Sequence, residues 1–195
     1  MVKTLTPIDR RIIKTKSNLT AALLRILREK PLSELTVREL CREAQITTIT
    51  FYAHYKDKFA LADEVFKDLA DRASERFEAL QESNNSDWDI IQACCNLLDG
   101  ILAVFQETNQ TFHLSIQVSD PYLFFALSRI ITERITEFLK QTDLNTSYSP
   151  HQVSAFLCYG LWGFICDDIN SGVPMEEIQK DAKQLLRSLI RMEHT

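Results

Sequence analysis

Apolar positions recur at the spacing of an α-helix along nearly the whole chain. In the first such segment, from about Pro7 to Glu29, the stripe predicted to be buried is made of Ile12, Leu19, Leu23, Ile26 and Leu27. No segment alternates apolar and polar residues for long enough to indicate a β-strand. The pattern therefore predicts an all-α protein.

Start and stop signals divide this pattern into a short head and a longer body. Thr36 precedes VRELCREA and Glu39 lies three residues further on, which predicts a capping box at the start of a short helix. Pro31 ends the first helix, and the polar run QESNNSD, residues 81–87, predicts the clearest loop. The other predicted helices cover residues 47–55, 58–80, 86–106, 121–141, 150–171 and 174–192.

The short segment TTITFYAHYKDK, residues 47–58, carries apolar residues on two opposite faces. At about 100° per residue, Phe51 and Tyr55 share one face and Ile49 and Ala53 share the other. A helix with two apolar sides should be buried on both, yet this one begins with threonines and ends with charged residues. Phe51 and Tyr55 are predicted to pack inward, so Ile49 and Ala53 need a second partner.

DNA is a partner that suits such a face. Two short helices joined by the tight break at Gln45–Ile46 are typical of a helix-turn-helix. The second helix of that motif enters the major groove, where thymine methyl groups make apolar contacts.

The distribution of charged residues along the chain agrees with DNA binding by the N-terminal part, although chance clustering would produce the same distribution. Residues 1–60 hold 12 basic and 6 acidic side chains, whereas residues 61–195 hold 10 and 21.

The segment TVRELCREAQITTITFYAHYKDKFAL, residues 36–61, resembles the TetR family of bacterial transcriptional regulators. The resemblance extends over residues 8–70, and YGLWGFICDDINSGVPMEEI looks like the last helix pair of that family. It implies a DNA-binding domain at 8–70 and a regulatory and dimerisation domain at 71–195. The family is all-α and homodimeric, and its C-terminal domain binds a small-molecule effector.

The resemblance also implies residue roles in DNA binding. Thr36 would cap the second helix at the phosphates, and Arg38 would touch a base edge or a phosphate. The groove would be lined by Thr47, Thr48, Ile49 and Ala53, and phosphates would be reached by Tyr52, His54 and Lys58. Tyr52 and His54 also fit an ordinary surface position. Gln45 departs from the family, which often has glycine in the turn, and a left-handed conformation there would cost about 1–2 kcal/mol.

The body supplies candidates for an effector pocket and for a dimer interface. Pocket candidates are Phe105, His113, Tyr122 and Trp162, although each of them also fits an ordinary core position. Interface candidates on the last two helices are Phe156, Gly160, Gly163, Leu185 and Leu189, which could instead close the core of one chain. The two glycines add little bulk, so a partner helix can approach closely.

The remaining chemistry of the sequence argues against catalysis. The five cysteines and four histidines have no metal, redox or nucleophile spacing, so no catalytic residue, metal or cofactor is predicted. The cysteines are expected to be buried thiols. No apolar run is long enough to span a membrane and no secretory signal is present, which predicts a cytoplasmic protein.

The predicted partners are operator DNA, a second copy of the chain and an unknown small molecule. A helical module that has lost DNA binding is disfavoured because Thr36, Arg38, Tyr52 and Lys58 are all present. The sequence does not decide whether the protein represses or activates transcription. A ligand-responsive repressor is one possibility, and an activator that works with a small ligand or a protein co-regulator is the other.

Overall fold

A computed structural model describes residues 7–87, 89–107, 121–140 and 147–191, and its regular elements in these ranges are all helices. The predicted all-α class is confirmed. The helices are α1 Pro7–Ile26, α2 Val37–Glu43, α3 Thr48–Tyr52, α4 Lys58–Asn84, α5 Ile90–Glu107, α6 Pro121–Lys140, α7 Pro150–Asn170 and α8 Met175–Arg191.

The chain divides into two compact units. The first, called the head below, contains residues 1–66 and 111–123, and the second, called the body, contains residues 67–110 and 124–195. α4 supplies its first residues to the head and its remaining residues to the body. The predicted division at residue 70 stays a prediction.

The core of the head collects the apolar sides of α1 to α4. Leu19, Leu23, Leu40 and Phe51 are fully buried, which matches the predicted inward faces. Ile12 was predicted to share the buried stripe of α1, and that prediction is wrong, because 38% of its surface is exposed. The apolar stripe of α1 is therefore covered at Leu19 and Leu23 but partly open to solvent at Ile12.

Two apolar clusters hold the body together. One joins α5 to α8 through Leu98, Leu102, Ala182 and Leu186, and the other joins α6 to α7 through Ile135, Leu139 and Cys158. Beside the first cluster, Asp99 accepts hydrogen bonds from Gln179 and from Lys183 Nζ, the latter at 2.5 Å. α5 and α8 are therefore joined by apolar packing and by an ion pair.

α4 continues to Asn84, so the predicted loop at residues 81–87 begins too early. The cause is a polar cluster with α5. Asn96 is fully buried, and its Nδ2 donates to Gln81 Oε1 at 2.6 Å and to Asn84 Oδ1 at 2.7 Å. These bonds hold the last turn of α4 helical, although its sequence is typical of a loop.

The described cysteines are free thiols. Cys41, Cys95 and Cys158 are buried and Cys94 is half-buried, while the side chain of Cys166 lies outside the described residues. Burial raises the pKa of each of the four, that of Cys94 to about 12. These thiols are protonated at neutral pH and pack as small apolar groups.

Two further features concern the described part of the chain only. None of its helices has the length and apolar character needed to cross a membrane. Its His, Cys, Asp and Glu side chains form no group of three that could hold a metal ion.

Candidate nucleic-acid interface

The predicted capping box at the start of α2 is confirmed. The Glu39 backbone N–H donates to Thr36 Oγ1 at 3.2 Å, and the Thr36 N–H donates to Glu39 Oε2 at 2.9 Å. Lys30 Nζ donates to the other carboxylate oxygen at 2.6 Å. Hydrogen bonds from Lys30, which has the larger effect, and from Thr36 lower the pKa of Glu39 to about 2. The ionised carboxylate therefore fixes Thr36 at the exposed start of α2.

The turn between α2 and α3 places a non-glycine residue in the left-handed region. Gln45 has a φ of 56°. Its N–H donates to the Arg42 carbonyl at 3.2 Å, and the Ile46 N–H donates to the Cys41 carbonyl at 2.9 Å. This pair of bonds is a Schellman motif, whose left-handed position is usually glycine. The strain expected from the sequence at Gln45 is present.

Gln45→Gly is expected to stabilise the protein by about 1 kcal/mol. Removing Cβ relieves a left-handed strain of about 1–2 kcal/mol, and the greater freedom of glycine in the unfolded chain offsets part of that gain. Urea unfolding of wild type, Gln45→Gly and Gln45→Ala measures the effect. The alanine variant is the control, because it removes the side chain but keeps Cβ. Equal unfolding free energies for the two variants would exclude strain at this turn.

α3 presents two different faces, as its sequence predicted. Thr47 caps the helix, since its Oγ1 accepts from the Thr50 N–H at 3.1 Å. Phe51 and Tyr55 are 0% and 5% exposed, whereas Ile49 is 83% exposed. Thr48, Tyr52 and Ala53 are also exposed. α3 is shorter than the predicted 47–55, although the His54 and Tyr55 N–H groups both still donate to the Phe51 carbonyl at 2.9 Å.

Lys58 has a structural role that the sequence did not indicate. Its Nζ donates to the backbone carbonyls of Ser33 at 2.8 Å and Leu35 at 2.6 Å. These bonds tie the segment before α2 to the start of α4. An ammonium has three N–H donors, so one remains for the phosphate that Lys58 was predicted to reach. Arg38 is exposed and His54 is half-buried, and the DNA contacts of all three stay predictions.

Glu64 on α4 joins three parts of the head, which sequence analysis missed. Its Oε1 accepts from the Tyr55 hydroxyl and from Lys16 Nζ, each at 2.9 Å. Partial burial favours the protonated acid, but the hydrogen bonds from Lys16 and Tyr55 outweigh it and lower the pKa of Glu64. The ionised carboxylate holds α1 and the end of the α3 segment against α4. The sequence carries no signal for this contact, because the three residues are far apart in the chain.

The body contains an apolar cavity of about 50 Å³. Residues of α5, α6, α7 and α8 line it, among them Cys94, Ile131, Phe138, Cys158 and Trp162. All the described side chains that line it are uncharged.

Of the four predicted pocket residues, the structure places Trp162 at this cavity. Tyr122 belongs to the head, where its hydroxyl donates to Asp63 at 2.7 Å and its ring centroid lies 4.8 Å from that of Phe59. Tyr122 is not among the described residues that line the cavity. The side chain of Phe105 and all of His113 lie outside the described residues.

The interface candidates on α7 share one exposed face. Phe156 is 68% exposed and Tyr159, which was not among the candidates, is 45% exposed. Gly160 and Gly163 are exposed as well, and a Cβ added to either glycine would meet no described atom within 4 Å apart from the adjoining backbone of α7. These positions follow the i, i+3, i+4, i+7 spacing of one helix face. On α8, Leu185 is half-buried, and the side chain of Leu189 lies outside the described residues.

Comparison with known proteins agrees with this geometry. Residues 19–65 match the model of the family described as bacterial regulatory proteins, tetR family. No curated protein matches the sequence. Among solved structures, a protein of Syntrophomonas wolfei described as a TetR-family transcriptional regulator superposes with a TM-score of 0.73 at 12% identity, over 91% of this chain and 95% of that chain.

Two other solved structures are similar over comparable lengths. The TetR-like transcriptional regulator LfrR of Mycobacterium smegmatis, in complex with proflavine, has a TM-score of 0.54 at 16% identity, over 90% of this chain and 96% of that chain. The dihydroxyacetone kinase operon activator DhaS has a TM-score of 0.54 at 20% identity, over 92% of this chain and 98% of that chain. At these identities the structures share the fold.

Proposed function

We propose that this protein is a TetR-family transcriptional regulator, which the match of residues 19–65 supports. We propose further that it binds operator DNA as a homodimer and represses transcription until a small molecule binds its body. The observation that carries the proposal is the exposed face of α3. Ile49 is 83% exposed although Phe51, two residues further on, is fully buried. An apolar face open to solvent on the second helix of a helix-turn-helix suits the thymine methyl groups of a major groove.

The proposed DNA contacts divide into base and backbone contacts. Thr48, Ile49 and Ala53 meet thymine methyl groups, and none of them can form the bidentate bonds that Arg makes with guanine. Arg38 binds one guanine or one phosphate. Thr47 also lines the groove. The remaining contacts fix the position of the head without reading sequence, and they come from Thr36, Tyr52, His54 and Lys58.

The exposed apolar face of α7 supports the homodimer. A large exposed apolar surface is typical of a site that binds another protein, and Phe156 and Tyr159 lie there beside two glycines that leave room for a second helix. A second copy would bury this face against its own equivalent by two-fold symmetry. It would also present two heads to adjacent major grooves, about 34–36 Å apart.

The cavity in the body supports a small-molecule effector, and its lining suggests that the effector is uncharged and largely apolar. An engineered cavity of about 150 Å³ binds benzene, so a volume of about 50 Å³ must enlarge before it can hold a whole effector. We propose that this enlargement moves α4, which runs unbroken from the head into the body, and thereby alters the spacing of the two heads. Tighter ligand binding to the enlarged state supplies the free energy.

An activator of the same family is the alternative. It is favoured by the similarity to DhaS, which is itself an operon activator. Both alternatives share operator DNA and the homodimer, and the activator would work with a small ligand or with a protein co-regulator. In either case we propose a cytoplasmic protein that is not an enzyme and needs no cofactor.

The test of the proposed function is selection of bound sequences from a random DNA pool, followed by substitution of uracil for each thymine of the selected site. Uracil lacks only the methyl group of thymine. Substitution of uracil for the thymine that contacts Ile49 should therefore weaken binding by about 1 kcal/mol, the low end for a base contact. Ile49→Ala should lose the same preference at that one position. Failure to enrich any sequence would refute the proposed function. Equal affinity for thymine and uracil at every position would refute methyl readout by Ile49.

A further inference from the structure

Residues 10–14, near the start of α1, are all exposed. Arg10, Arg11, Ile12, Ile13 and Lys14 are five consecutive exposed residues, here called the α1 arm. Ile12 lies within about 20° of Leu19 and Leu23 around the helix axis. Those two leucines are 0% exposed, whereas Ile12 is 38% exposed. The apolar stripe that is buried at Leu19 and Leu23 is therefore partly exposed where it reaches the arm.

Contacts along α1 show where the arm points. Lys30, just after the C-terminal end of α1, binds Glu39 at the start of α2. Closer to the N-terminus of α1, Arg25 binds Glu43 at the end of α2. Further along, Lys16 binds Glu64 at 2.9 Å and lies 5.5 Å from the ring centroid of Tyr55, just beyond α3. At about 1.5 Å per residue, Lys14 extends about 3 Å and Arg10 about 9 Å past Lys16. The arm thus projects beyond the end of the α3 segment.

The charges of the arm are not neutralised within the described chain. Lys16, Arg25 and Lys30 each pair with a glutamate. In contrast, Arg10, Arg11 and Lys14 form no ion pair with a described residue. Arg10 and Lys14 stand one helical turn apart on the same side, and Arg11 is about 100° from Arg10 around the axis. Three cations within five residues, none of them paired with a described side chain, complement a row of phosphates.

We propose that the α1 arm binds DNA phosphates just outside the half-site that α3 reads. The inference rests on the proposed function, and it adds a second contact element to the helix-turn-helix. Phosphate contacts of this kind strengthen binding and fix its register without reading sequence. A protein partner is the weaker alternative, because a protein interface is depleted of charge at its centre and the arm is mostly charged.

The test compares Arg11→Gln/Lys14→Gln with wild type on two duplexes that carry the selected site. One duplex ends at the site edges, and the other extends about half a helical turn further on each side. Fluorescence anisotropy between about 50 and 200 mM salt gives the slope of log affinity against log salt, which changes by about 0.9 per phosphate contact. On the long duplex the double variant should lose about two units of slope per head. On the short duplex the two proteins should have equal slopes.

The control is Lys67→Gln/Lys140→Gln, which removes the same charge from two exposed positions of the body. It should keep the wild-type slope on both duplexes, so a loss seen only in the arm variant excludes a general effect of net charge. Circular dichroism and sedimentation of both variants check helix content and assembly.

Two outcomes would overturn the proposal. The first is a wild-type salt slope in the arm variant on the long duplex. The second is loss of self-association with an unchanged slope, which would place a second copy of the chain against the arm. Failure of the wild-type protein to select any DNA is a separate result, because it refutes the proposed function itself.

Discussion

Gly160→Glu is expected to convert the protein to monomers and to weaken operator binding by a factor of roughly 10²–10⁴, the range that linkage of two binding modules supplies. Gly160 is exposed, and a Cβ there would meet no described atom within 4 Å apart from the adjoining backbone of α7. The substitution therefore does not disturb the fold of one chain. In the proposed homodimer it would place a carboxylate and added bulk between α7 and its symmetry mate. Sedimentation velocity and DNA binding measure the two effects.

His151→Glu is the matched control for this experiment. His151 is exposed on the same helix, about 180° around the axis from Gly160, and receives the same new charge. This variant should stay dimeric and bind the operator as wild type does. An unchanged dimer in Gly160→Glu would remove α7 from the interface. Dissociation of both variants would show that added charge anywhere on α7 is disruptive, which would also refute the assigned face.

Gly100→Leu is expected to lower the free energy of unfolding by about 3 kcal/mol, at the upper end for an overpacked site. A Cβ at Gly100 would lie 2.8 Å from the Ala73 carbonyl oxygen and 3.3 Å from the Phe77 backbone nitrogen, both on α4. Backbone atoms cannot rotate away as a side chain can, so α5 must move off α4. Urea unfolding monitored by circular dichroism measures the loss.

The control places the same leucine at Gly163, an open position within the chain. Both variants are made in the Gly160→Glu background, so that the proposed interface does not contribute. Gly163→Leu should not destabilise the monomer, and the higher helix propensity of leucine can add up to about 1 kcal/mol. Equal unfolding free energies for the two variants would contradict close packing of α5 on α4 at Gly100.

The local features of the head were predictable because neighbouring residues produce them. The capping box needs only Thr36 and Glu39, three residues apart, and both bonds of that box form. The two faces of α3 follow from helical periodicity, and Phe51 and Ile49 are buried and exposed accordingly. The turn at Gln45 was less predictable, because the sequence indicated only that a residue other than glycine there would be strained or would alter the turn, and the structure shows that Gln45 adopts the left-handed conformation.

Only the tertiary structure decided which predicted faces are covered. Ile12 belongs to the apolar stripe of α1 by sequence, but the structure leaves 38% of its surface exposed, whereas Leu19 and Leu23 of the same stripe are fully buried. The sequence of the last turn of α4 predicts a loop, yet hydrogen bonds from the buried Asn96 side chain keep this turn helical. In both cases the outcome depends on residues that are distant in the chain, and periodicity carries no information about them.

The hydrogen-bond partners of long polar side chains could not be predicted from the sequence either. Lys58 was predicted for a phosphate, but two of its three donors bind carbonyls of residues 33 and 35. Tyr122 was grouped with Trp162, but it binds Asp63 in the head. The sequence by itself determined helix content, the helix-turn-helix and the two faces of α3, because those depend on spacing within one or two turns. The partners of long polar side chains were set by the packing of helices, which brings residues together from more than twenty positions apart.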